Sequence, residues 1–137
     1  MRIAGHNWLA ILVAALVIYA IEYAIYGLMV RPMDFVVMAG METIPEAERA
    51  ALGWRIALGF IMPLLASIGL SLTIKWRGQL GMMAGAMTGL LMGVLFGWAG
   101  RLYGFVYGPD TPVYLAIDLV RLPFTYFIAG AILGAWK

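Results

Sequence analysis

The chain has no cysteine, a single histidine and few charges, with Asp, Glu, Lys and Arg making up 12% of its 137 residues. Without cysteine, disulfides and thiolate metal sites are excluded outright. The lone histidine, His6, precedes the first apolar stretch and has no companion at metal-ligand spacing. Neither a metal centre nor a histidine-based catalytic site is legible, and no cofactor is expected. The nine basic residues are scattered singly. No patch among them could neutralise a row of phosphates, so nucleic acid is not an expected partner.

In place of charge there is apolar surface. Soluble domains carry roughly 25% charged residues, whereas this chain is 64% hydrophobic with a mean hydropathy of +0.94. Its expected partner is the lipid bilayer. Crossing a hydrocarbon core roughly 30 Å thick takes about 20 apolar residues. Four such segments fit, at about Trp8 to Met29, Trp54 to Ile74, Leu80 to Trp98 and Pro112 to Trp136. The chain therefore reads as one all-α membrane domain over residues 1–137, a bundle of four transmembrane helices with no room for a separate soluble unit. The first span runs far past the about 7 to 15 apolar residues of a signal peptide and lacks a small-residue cleavage site, so it reads as a retained helix. Trp8, Trp54, Trp76, Trp98 and Trp136 all fall at or near proposed span ends, where indole rings favour the headgroup level. Arg2, Lys75, Arg77 and Lys137 share the face that carries the termini, and Arg31, Arg49, Arg55 and Arg101 share the other. Because Lys75 and Arg77 crowd the shortest loop, the expected orientation puts both termini in the cytoplasm.

Two links carry local signals. In the long one, Thr43, Ile44, Pro45 and Glu46 fit a capping box, predicting a short interfacial helix from about Ile44 to Leu52. The apolar Met33, Phe35, Val36, Val37 and Met38 before it are expected to rest on the membrane interface. The link from Gly100 to Thr111, with Gly104, Gly108, Pro109 and the aromatics Tyr103, Phe105 and Tyr107, reads as an ordered aromatic turn.

The third span carries Gly81, Gly85, Gly89, Gly93 and Gly97 at intervals of four. Glycine costs about 1 kcal/mol per residue against alanine in a helix, a loss that makes sense where backbones approach closely, as in membrane packing. Gly130 and Gly134 repeat the spacing in the fourth span. A step of four overshoots a full helical turn by about 40°. Glycines at the two ends are therefore expected to face different neighbours, or one neighbour crossing at a steep angle. The stripe serves either packing inside one chain or homo-oligomerisation through helix three.

Glu22, Asp118 and Arg121 lie inside the spans. Each costs about 2.5 to 3.5 kcal/mol at mid-membrane on insertion scales, so they are expected to face the interior and find partners. Counted from the nearer span ends, they lie at depths of roughly 9 to 14 Å below the same face. Tyr19 and Tyr26 flank Glu22 at helical spacing, while Tyr114, Asp118, Arg121 and Thr125 form a stripe on one face of helix four. Pro123 removes a backbone bond to Leu119 and predicts a kink beside the charges. Arg55 and Arg101 belong to the same end of the bundle. These residues define a one-sided ligand, ion or proton pocket, or an internal charge network that fixes helix register. No catalytic residue is assigned and an enzyme is not the leading expectation. Ser67 and Ser71 lie one turn apart without the histidine that a serine nucleophile normally needs, and are expected to bond their own backbone.

The opening Asn7, Trp8, Leu9, Ala10, Ile11, Leu12, Val13, Ala14, Ala15 and the closing Gly130, Ala131, Ile132, Leu133, Gly134, Ala135, Trp136 resemble the two ends of a bacterial family of small four-helix membrane proteins, filed as domain of unknown function, family seventeen sixty-one. The similarity in length and helix count covers the whole chain, and the detailed match covers its ends. The family carries an aromatic pair late in helix one where this chain has Glu22 and Tyr23, and the pair Asp118 and Arg121 is not a family feature. The resemblance implies a multi-pass protein of the bacterial cytoplasmic membrane and nothing about chemistry. Two functions follow as expectations: binding or transport of a small solute, ion or proton, as an oligomer, or a non-catalytic accessory subunit of a larger membrane complex.

Overall fold

The structure, a computed structural model, describes residues 2–3, 5–29, 45, 58–78, 81–108 and 111–136. Among them four helices follow one another: α1 (Trp8–Met29), α2 (Ile61–Arg77), α3 (Met82–Tyr107) and α4 (Pro112–Ala135). Three are long and apolar enough to cross a membrane, over Trp8–Leu28, Met82–Tyr107 and Pro112–Ala135. The expected second span falls on α2, whose described part is 17 residues. Its expected start at Trp54 and the expected interfacial helix lie outside the described residues, Pro45 apart.

The polar pattern is that of a protein turned inside out. Asp118, Arg121, Thr125, Ser67 and Thr88 are buried, whereas Leu16, Leu28, Leu65, Phe96 and Val120 point outward. Water would reverse that arrangement, and lipid favours it. The apolar core joins Ala14 and Ile18 of α1, Leu70 and Ile74 of α2 and Ala129 of α4. Helix α4 is central, packing on α1, α2 and most extensively on α3. A charged group on α4 therefore has three possible neighbours to pair with.

The glycine stripe has one partner. A Cβ at Gly85 would overlap the Gly130 carbonyl oxygen, and one at Gly89 would overlap that of Tyr126. One at Gly93 would lie 2.8 Å from the Pro123 Cα, and one at Gly97 would lie 3.3 Å from the Leu122 Cβ. Gly134 meets Gly81 and Gly85, and the Gly81 amide donates to the Gly134 carbonyl at 3.2 Å. From Gly81 to Gly93 each step of four forward along α3 is met by a step of three or four back along α4, and Gly93 and Gly97 share Leu122. Of the two expected arrangements, different neighbours at the two ends or one neighbour throughout, the structure has one neighbour, α4, running antiparallel. Part of the reason is local: Gly93–Gly97 is a π-helical turn. Closed by i→i+5 bonds, it takes more than four residues per revolution, so the last step adds no further overshoot and returns part of what the α-helical steps accumulated.

Three other readings change. The helix expected to end at Trp98 continues to Tyr107, so most of the expected aromatic turn is helical. Tyr103 and Tyr107, one turn apart with ring centroids at 4.8 Å, support that extension, and Gly108 ends it in an extended conformation. Lys75 and Arg77 lie in the last turn of α2 rather than in the link, where they complement its negative end. Gly78, at φ 66°, closes that helix with its amide on the Lys75 carbonyl. The chain is also not wholly helical. Strands β1 (Arg2–Ile3) and β2 (His6–Asn7) pair antiparallel, Arg2 with Asn7 and Ile3 with His6, around a turn at Gly5, φ 76°.

Candidate functional site

Helix α4 enters through Thr111 and Pro112, with the proline in its first turn, where no backbone donor is lost. One and a half turns later Asp118 and Arg121 stand i,i+3 apart, and the Arg121 Nε donates to Asp118 Oδ1 at 2.8 Å. From α1, Glu22 accepts the Arg121 Nη1 at 2.6 Å. Tyr26, one turn further along α1, donates its hydroxyl to Asp118 Oδ1 at 2.6 Å, and its ring lies 5.2 Å from the Arg121 guanidinium carbon. From α3, the Arg101 Nε pairs with Asp118 Oδ2. Three helices thus converge on two carboxylates and two guanidiniums.

Exposure across this cluster is graded. The Asp118 and Arg121 side chains are 2% and 8% exposed, against 27% for Glu22 and 20% for Arg101. Asp118 is the anchored end, saturated by Arg121, Arg101 and Tyr26. Glu22 is the less enclosed end, with one described partner and a partly exposed side chain. Such a network has no net charge, which makes its burial tolerable. It also has a replaceable member, because a proton on Glu22, or an anionic group competing with it, would free one face of Arg121.

Glu22, Tyr26, Asp118, Arg121 and Arg101 are brought together. Tyr19 lies one turn before Glu22 and packs edge-on against Phe60 at 5.8 Å. Thr125, fully buried one turn beyond Arg121, has no hydrogen-bond partner for its hydroxyl among the described residues. Tyr114 is half-buried on the same helix, and Arg55 lies outside the described residues.

One supporting residue escaped the sequence reading. Pro123 has no amide to give the Leu119 carbonyl, and the Trp98 indole Nε1 takes its place, donating to that oxygen at 2.8 Å. Trp98 is therefore a tertiary cap inside the bundle rather than a headgroup marker at a span end. A proline in a spanning helix is tolerated when a neighbour satisfies the carbonyl it frees. Trp98→Phe keeps the ring and deletes the donor, and is expected to lower stability by about 1 to 3 kcal/mol. Reversible unfolding in mixed detergent micelles measures the loss, and unchanged stability would mean that the Leu119 carbonyl does not depend on the indole.

Ser71 also departs from expectation. Its Oγ lies 3.0 Å from the His6 Nδ1, so the β-hairpin brings the lone histidine onto α2 at the opposite end of the bundle. The Ser67 hydroxyl, expected to bond its own backbone, is buried without a hydrogen-bond partner among the described residues. No protein-family model matches this chain, and neither the curated proteins nor the solved structures contain a significant match.

Proposed function

We propose that this is a multi-pass membrane protein that binds a small solute or ion, or exchanges a proton, at the cluster formed by Glu22, Arg121, Asp118 and Arg101. The observation that supports it is the asymmetry of the cluster: Asp118 is saturated and buried, while Glu22 shares Arg121 from a partly exposed position. The unpartnered Thr125 hydroxyl supplies one further polar contact on the same helix face. As a second reading, the balance of two acids against two bases suits a device that fixes the register of α1, α3 and α4, as an accessory subunit would need.

The resemblance named above supports reading the protein as one of the bacterial cytoplasmic membrane, and Lys75 and Arg77 support cytoplasmic termini. In this reading α2 completes the fourth crossing and residues 44–52 form the interfacial helix. Passage across the whole bilayer needs a second copy, because the charged residues gather toward one end of the bundle. Helix α4 already covers the α3 glycines, so self-association uses the outward stripe of Met83, Met87, Leu91 and Leu95.

Proteoliposomes under an imposed pH gradient, with a trapped pH dye, test the leading reading. Wild-type protein is expected to carry proton flux well above that of empty vesicles, and Glu22→Gln to fall to the leak. Leak-level flux in both would count against proton exchange at Glu22 and favour the register role.

A further inference from the structure

A second polar site lies at the other end of the bundle, and it stands independently of the charged cluster. It is a cavity of about 520 Å³ between the N-terminal hairpin, the end of α2 and the end of α4. His6, Asn7, Ser71 and Lys75 supply its polar wall, and Ile74, Leu133 and Trp136 its apolar one.

The local fold builds this cavity. Gly5 takes φ 76°, which lets the chain reverse and lays β2 over α2. The turn rests on Lys75, since a Cβ at Gly5 would stand 2.7 Å from the Lys75 Nζ. Ser71 and Lys75 share one face of α2 a turn apart, and His6 is held against Ser71 at 3.0 Å. The wall thus combines an ammonium, an imidazole, a hydroxyl and a carboxamide, with no carboxylate among its described lining residues. Serine beside histidine invites comparison with a hydrolase, yet among the described residues no acid lines the cavity to orient the imidazole, and the cationic wall favours holding an anion.

We infer that this cavity binds a phosphate ester, the headgroup phosphate of an anionic phospholipid. Lys75 provides the charge, and His6, Ser71 and Asn7 provide the donors. The apolar wall indicates an amphiphile, because Leu133 and Trp136 give an acyl-glycerol portion somewhere to lie. Trp136, and Trp76 beside Lys75, are the residues that favour headgroup level. A lipid in this position would tie the hairpin to the ends of α2 and α4.

His6, the only histidine in the chain, is a built-in reporter. The full chain in phosphatidylcholine nanodiscs is titrated with phosphatidylglycerol while the imidazole resonances are followed by NMR. A saturable shift is expected, with apparent affinity about tenfold weaker in Lys75→Gln, as loss of a charged hydrogen bond implies. Lys75→Arg keeps the cation and is expected to restore binding. sn-Glycerol 3-phosphate added to phosphatidylcholine discs carries the phosphate without acyl chains. Saturation by the lipid alone assigns the site to a headgroup, and saturation by both assigns it to phosphate esters generally. No shift with either probe, an equal shift in wild type and Lys75→Gln, or failure of both Lys75 variants would overturn the site. The second of those outcomes is what bulk surface charge acting on an interfacial imidazole would give.

Discussion

Replacing Arg121 by methionine is expected to destabilise the protein by about 3 to 5 kcal/mol, the loss typical of breaking a buried ion pair from one side. The guanidinium is 8% exposed and bridges Glu22 of α1 to Asp118 of its own helix. Methionine fills much of the volume, so packing loss contributes little and the effect is electrostatic. It leaves Asp118, at 2% exposure, dependent on Arg101 and Tyr26 alone. Arg121→Met combined with Glu22→Gln is expected to recover part of the loss, since the second change removes the other stranded charge. Unfolding in mixed micelles measures both variants. A single-variant loss under about 1 kcal/mol would mean that the guanidinium holds no buried carboxylate in place.

The glycine stripe gives the second large effect, and its value lies in a contrast of sign. Helix propensity alone makes every mid-helix Gly→Ala change favourable by about 1 kcal/mol. At Gly100, with nothing within 4 Å of an added Cβ, stabilisation of that order is expected. At Gly89 the same methyl would run into the Tyr126 carbonyl, which is backbone and cannot swing aside. Gly89→Ala is therefore expected to cost about 3 kcal/mol or more, by forcing α3 and α4 apart along their whole contact. Gly97→Ala falls between, because the atom it meets at 3.3 Å belongs to the Leu122 side chain. Thermal unfolding of the three variants in one detergent checks the order, and a stabilised Gly89→Ala would remove α4 as the partner of the stripe.

The charged triad was legible in the residues because lipid leaves so few alternatives. An ionisable group inside an apolar span must pair, and only residues at matching depth can meet it. Glu22, Asp118 and Arg121 met that condition from spacing alone, and Arg101 joins them through the continuation of α3 past Trp98. The glycines announced close approach, but their partner could not be read by extrapolating an ideal helix, since the π turn at Gly93–Gly97 changes the phase. Trp98 was misassigned because indole at a span end and indole capping a proline-freed carbonyl look alike in sequence. Only the packing of α3 on α4 brings the ring to Leu119. His6 and Ser71, 65 residues apart, carried no local signal at all. Their meeting depends on a hairpin whose sequence cue is little more than the glycine at its turn.

The most direct test is a double-mutant cycle between Glu22→Gln and Arg121→Gln, with unfolding free energies measured in bicelles. Residues that touch within one network couple by about 0.5 to 3 kcal/mol. A coupling of at least about 1.5 kcal/mol is predicted for a 2.6 Å ion pair joining α1 to a buried guanidinium. Additive effects, within about 0.3 kcal/mol, would contradict a shared site and separate the first helix from the charges of the last.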